Sequence, residues 1–390
     1  MIRRLIHLTF AAMLTGAVMA QDVSMRSDHP DEYVVVKGDT LWDISGRFLD
    51  KPWQWPAIWH ANPQIENPHL IYPGDVVSLV YVDGVPQLRL RRGDVETVKL
   101  SPAVRVLERD DAIDAVPFKV IEPFVRNLQI LTPAQFEGLP YVIANYDDRL
   151  NATYSDQSYV RGLNAEVGEE FIVARLTNIY DRVSDDAEIR RVRPKEHWKQ
   201  VPNVWDGQEN VHNTVSPWNR RPKNPVGYEL TEVSRVRVAQ VGEISVLDIL
   251  RDRTEVKPGD YILPATDPGY ESTFFPHAMD QVPADLRILA TSGQRAGVGN
   301  FQIVAISGGS RQGIQAGHVF SAFRKGLVVD DRVAYRYGSF AKDSEVRLPA
   351  IYDGLVMVFR TFSDISYGMV MSGSRPVKEH DVLRHPDERM

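Results

Sequence analysis

The side chains with chemical potential in this chain are ten histidines, tryptophans clustered at 42, 53, 55 and 59, and many carboxylates; cysteine does not occur. Without a thiol there is no cysteine nucleophile, no disulfide and no lipid-acceptor cysteine near the amino terminus. His197, His212, His277, His318, His380 and His385 form no HxH or HExxH pair, and His60 and His69 have no further ligand at a metal-binding spacing. His277 and Asp280 are close enough to share a turn, but two ligands do not make a metal site. No GxSxG elbow occurs. Carboxylates far apart in sequence can still meet in space, so a paired-acid mechanism stays open. The tryptophans offer flat faces for stacking on a ligand, or bulk for a small core; Trp59 reads as core and Trp42 fits either role.

These tryptophans lie in the stretch with the clearest local signals, residues 33–80. Residues 33–36 (YVVV) are β-branched-rich and predict a strand that Lys37 and Gly38 stop. Asp39 or Thr40 can cap a helix, with Asp43 completing a capping box, and Leu41, Ile44, Phe48 and Leu49 recur along one helical face. Pro52 ends that helix; a second runs from residues 53–56 to Ala61, before Asn62 and Pro63. Pro73 and Gly74 suit a type II turn leading into a strand over 76–80.

This strand, helix, helix, strand order, with its GDTLWDI, NPxI and IYPGD runs, resembles the LysM module. The resemblance implies binding of N-acetylglucosamine-containing glycan, in bacteria usually peptidoglycan. It implies a shallow groove with Gly38, Asp39, Thr40 and Leu41 on one side and Asn62, Pro63, Leu70 and Ile71 on the other. An uncharged N-acetyl sugar needs only backbone donors and acceptors and a small apolar surface for its methyl group. The same residues have structural readings, Asp39 and Thr40 as a helix cap and Leu41 and Ile71 as core.

The chain has 390 residues, 25% of them charged, and a mean hydropathy of -0.28, with room for two or three domains. Arg3 and Arg4 precede an apolar run over 5–19, and Val18, Met19 and Ala20 suit signal peptidase, so residues 1–20 are expected to direct export to the periplasm. No membrane span is expected after cleavage. Loss of Arg3 and Arg4 takes the formal charge from -7 to -9, which disfavours nucleic acid as a partner.

Residues 81–140 read as a linker or adapter, with 81–99 a hairpin or tether and a short helix over 133–138 after Thr132. Strands are expected at 141–144, 158–161, 170–177 and 233–240, giving a β-rich domain over 141–268 with a long polar insertion at 181–224. That insertion carries Trp198, Trp205 and Trp218 and reads as a loop or as a partner-binding arm. Three segments, 255–264, 313–323 and 376–386, repeat a turn that feeds an alternating strand, a device of small barrels and sandwiches. Gly308, Gly309, Gly313 and Gly317 are turn glycines, since no phosphate-binding fingerprint surrounds them.

Residues 298–323 and 353–371, with 227–240 and the KLSP run at 99–102, are similar to the type IV pilus secretin-associated proteins, whose carboxy-terminal domain resembles that of a flagellar outer-ring protein. The long insertion departs from that pattern. The expected fold class is α+β: a small βααβ domain, an adapter, then mainly-β domains, the last over 283–386. The resemblance implies an outer-membrane secretin as partner, with copies forming a ring-like multimer around it; the missing nucleophile and metal patterns lead to the expectation of a non-enzymatic role without cofactor or metal. Alternatives are a cell-wall hydrolase and a general envelope or flagellar-ring scaffold. Glu271 and Ser272 have the residue order of lytic transglycosylases but not the motif that follows it.

Overall fold

The computed structural model describes residues 23–59, 71–82, 84–92, 121–122, 124, 127–182, 189–192, 224–265, 274–292, 297–331 and 345–388. Asn62, Pro63, Leu70, His60, His69, Glu271, Ser272, the KLSP run, the amino-terminal apolar run and the three tryptophans of the insertion lie outside these residues.

Strand β1 (Glu32–Val34), β2 (Val76–Val82) and β3 (Val85–Arg91) form an antiparallel sheet in that order. Helix α1 (Leu41–Phe48) starts at Thr40, whose hydroxyl accepts from the Asp43 amide at 3.1 Å, and α2 (Trp55–Trp59) follows a 3-10 turn over Pro52–Gln54. The helix ends four residues before Pro52 because Leu49 is extended and bridges Met25. Val35 and Val36 leave the expected strand for a turn. The stretch from residue 81, read as a hairpin or tether, forms a hairpin: β2 and β3 pair from Val76↔Arg91 to Val82↔Val85 around Gly84, where φ is +81°.

The second sheet contains β4 (Leu128–Leu131), β5 (Tyr141–Asn145), β6 (Gln157–Arg161), β7 (Glu170–Arg182), β8 (Ile189–Val192), β9 (Pro225–Gln240), β10 (Ile244–Asp252) and β11 (Tyr261–Pro264). Its order is β4-β9-β10-β6-β5-β11-β7-β8, and β7 also pairs β9, so six strands close into a small barrel around Val142, Val160, Val173, Val236, Leu247 and Ile262. Closure removes exposed edges. β7 runs past the expected Thr177, and β8, inside the expected loop, forms a hairpin with it; β4 draws the end of the expected adapter into the sheet. β9 begins well before residue 233 because its polar first half, Glu229 included, pairs with β7 on a buried face. A one-turn helix, α3 (Pro133–Phe136), is capped by Thr132 and Gln135.

The third sheet comprises β12 (His277–Ala278), β13 (Ile288–Thr291), β14 (Ile303–Ile306), β15 (His318–Arg324), β18 (Ile351–Thr361), β19 (Ser366–Gly373) and β20 (Val382–Arg384). Between β15 and β18 a two-stranded ribbon, β16 (Val328–Asp330) and β17 (Glu345–Arg347), projects. One face of the sheet packs on its own cluster around Ile288, Val304, Phe320 and Val356. Its other face, through Leu355, Met357 and Met369, joins a cluster that continues to Trp42, Trp53 and Trp55 of the first unit. Helices and sheets together make the chain α+β, with strands dominating after the first unit.

One turn links all three sheets. A buried apolar residue precedes a β-turn with positive φ at its third position, and a polar side chain at the fourth position accepts from the amide of the first. In the sequence repeats, Asp260 accepts from Lys257 at 2.8 Å, His318 from Gln315 at 3.1 Å and Asp381 from Lys378 at 2.7 Å, behind Val256, Ile314 and Val377. The same geometry occurs at Tyr72–Asp75 behind Ile71 and at Val36–Asp39 behind Val35. Side-chain closure lets a buried strand start without an orphaned amide, which would cost about 1–3 kcal/mol. Among the described residues no helix is long and apolar enough to cross a membrane.

Candidate glycan-binding site

Two of these turns lie side by side in the first unit. The Gly74 amide donates to the Val35 carbonyl at 2.8 Å, and the Val35 amide donates to the Asp75 carbonyl at 2.8 Å. The turn at Val36–Asp39 therefore abuts the turn at Tyr72–Asp75, bringing Gly38, Asp39, Thr40 and Leu41 to the same end of the sheet as Ile71. Backbone hydrogen bonding fixes this geometry.

The side chains of these residues are occupied by the fold. Asp39 accepts from the Val36 amide at 2.9 Å and from the Tyr33 hydroxyl at 2.8 Å, and Arg47 stands 4.3 Å over the Tyr33 ring. Burial first, then the Asp39 carboxylate, raises the Tyr33 pKa. Thr40 caps α1 and donates to Asp43 at 2.7 Å, while Leu41 and Ile71 are buried in the core. On the facing turn, the buried Asp75 accepts from the Tyr72 amide at 3.1 Å and from Arg92 at 2.7 Å. Gly38 is exposed at φ +98°, with open space where a Cβ would stand. What the first loop offers a ligand is thus main chain at Lys37–Asp39, flanked by the exposed Val36. That suits a neutral amide-bearing sugar, whose acetamido group exchanges hydrogen bonds with peptide groups.

The tryptophans form no stacking platform. Trp42, Trp53, Trp55 and Trp59 are all buried, Trp55 edge-on to Trp59 with ring centroids 6.3 Å apart. Trp55 also meets Phe275 at 5.9 Å, and Lys51 pairs with Asp387 at 2.6 Å, so the helical side of the unit is seated on the third sheet. The sequence offered four apolar rings in a unit too small to bury them all; a second surface to cover them is what that surplus signals.

Elsewhere, His277 and His318 meet edge-on at 4.6 Å, and among the described residues no group of three or more His, Asp or Glu is placed to hold a metal. Burial first, then His277, lowers the His318 pKa to about 4.

Over 60 residues the chain is 37% identical to the uncharacterized protein YqbP of Bacillus subtilis (strain 168), an overlap of 13% of this chain and 27% of that protein. The chain thus spans about a quarter of that relative's length. Residues 33–79 match the family model of the LysM domain, so the two abutting turns belong to a LysM domain, a module of the peptidoglycan-binding family.

Proposed function

We propose that this protein is a non-enzymatic periplasmic anchor: its LysM domain grips the glycan of peptidoglycan, and its β-rich remainder holds an outer-membrane secretin, tying the pore to the cell wall. The observation that carries the first half is the LysM match together with the exposed main-chain surface of the Gly38 loop. The second half rests on the resemblance of residues 298–323 and 353–371 to secretin-associated proteins. Contacts in one shallow groove are weak singly; several copies around one pore raise the effective affinity, because each later contact is intramolecular.

Sedimentation with insoluble sacculi tests the first half in the full chain. Gly38→Val places a β-branched residue at φ +98°, which distorts the loop main chain without filling any contact. The substituted protein should stay folded and lose most of its pelleting; pelleting equal to the parent removes the loop from the site. Co-purification of the full chain with a secretin from detergent extracts tests the second half, and a chain recovered without one refutes it.

A further inference from the structure

Where β5 meets β11 the barrel has a short seam, Tyr141 facing Tyr261, held by the Ile262 amide on the Pro140 carbonyl at 2.8 Å and the Val142 amide on the Asp260 carbonyl at 2.8 Å. Beside that seam, where α3 leads into β5, a cleft of about 550 Å³ opens, lined among others by Pro133, Phe136, Glu137, Tyr141, Tyr228 and Tyr261. Phe136 lies flat on Tyr228, centroids 4.0 Å apart and planes within 4°, and its ring meets Tyr261 at 4.7 Å. Tyr141 is exposed at 39%. The volume falls in the range of real ligand sites, about 300–1,000 Å³.

The charge of the lining narrows the ligand. Glu137 is exposed, and its carboxylate has no hydrogen-bond or ion-pair partner among the described residues. No Lys, Arg, His, Asn or Gln lines the cleft. Burial first, then the charges of Asp181 and Glu137, raises the Tyr228 pKa, so the negative potential reaches the rings themselves. An anion is repelled here. A sugar would find acceptors but few side-chain donors for its ring and carbonyl oxygens. A cation gains from both the aromatic rings and the carboxylate, and a guanidinium, being planar and weakly hydrated, lies well along such rings.

We propose that this cleft is a docking site for an extended basic segment of a protein partner, which lays an arginine side chain across Tyr228 and Tyr261 and pairs it with Glu137. The site is separate from the glycan surface and does not depend on it.

The test uses the full chain labelled with 3-fluorotyrosine, the Tyr228 fluorine resonance being assigned with Tyr228→Phe. The probes are the peptide acetyl-Gly-Pro-Arg-Pro-Gly-amide, the same peptide with citrulline for arginine, and chitotetraose. The arginine peptide should move the Tyr228 resonance at millimolar concentration, the citrulline peptide should bind about five-fold more weakly or worse, and Glu137→Gln should cost a similar factor. Glu137 is exposed, so its replacement leaves the fold intact, and a shift in the parent alone is informative. Equal binding of the two peptides, an unmoved Tyr228 resonance, or a response to chitotetraose instead would overturn the proposal, the last assigning the cleft to glycan.

Discussion

Asp260 and Arg175 are the side chains whose removal should most disturb the barrel. Arg175 is 1% exposed and Asp260 wholly buried; Nε and Nη2 of the guanidinium donate to the two carboxylate oxygens at 2.6 Å each. Arg175 Nη2 also donates to the Glu255 carbonyl at 2.8 Å, and Asp260 closes its turn through the Lys257 amide at 2.8 Å. Asp260→Ala leaves a guanidinium inside the protein with no counter-charge, a loss of about 3–5 kcal/mol for breaking a buried pair. For a cooperative unit of this size, about 4 kcal/mol lowers Tm by roughly 8–16 °C. Scanning calorimetry is the assay, since three sheets need not melt together. Arg175→Met should cost a comparable amount, and the double substitution Arg175→Met with Asp260→Asn should recover much of either loss, because no unpaired charge remains. Additive losses in the double variant, or a shift below about 3 °C for Asp260→Ala, would show that the pair is not what holds this turn against the barrel.

Four further outcomes are expected. Since the folded His318 pKa of about 4 lies below its ordinary 6.5, the native state binds fewer protons, and the contribution of neutral His318 is full above pH 6.5 and lost as pH falls to 4. The gap is worth about 3 kcal/mol. His318→Asn, which keeps an acceptor for the Gln315 amide, should flatten the acid limb of urea midpoint against pH; comparison with the parent is needed because burial, then Asp353, raises the Asp381 pKa and acts in the opposite direction. His380 occupies the positive-φ position of its turn at +71°, where Val256–Asp260 has Gly259, so His380→Gly should stabilise by up to about 1 kcal/mol in urea titration. Tyr367→Phe removes the 2.9 Å hydrogen bond from the third sheet to buried Glu229, which also accepts from Tyr180 at 2.6 Å and from Thr177; calorimetry should show about 1–3 kcal/mol lost. Thr40→Val should cost about 1 kcal/mol through the lost helix cap while leaving sacculus binding unchanged, because its hydroxyl faces Asp43.

How much was legible follows the range of the interactions involved. Helix α1, its cap and the Pro73-Gly74 turn are local, so residue spacing alone placed them. Three of the recurrent turns were visible as repeats, whereas the turns at Val36–Asp39 and Tyr72–Asp75 fell within another motif and were not matched with them. The early β9 half was hidden because Glu229, Thr231 and Glu232 look solvated until β7 and Tyr367 supply partners. The aromatic cleft was illegible, since Phe136, Tyr228 and Tyr261 come from three separated segments that only barrel closure brings together.

By itself the amino-acid order determined the module at 33–79 and the α+β class, because turn residues, caps and side-chain alternation act within a few positions of one another. Tertiary structure alone decided that the tryptophans face the third sheet, that the Asp39 carboxylate takes the Tyr33 hydroxyl, and that β7 meets β9 to shut the barrel. Those outcomes depend on which distant surface covers an apolar ring or completes a buried polar group, and that is fixed only when the units pack.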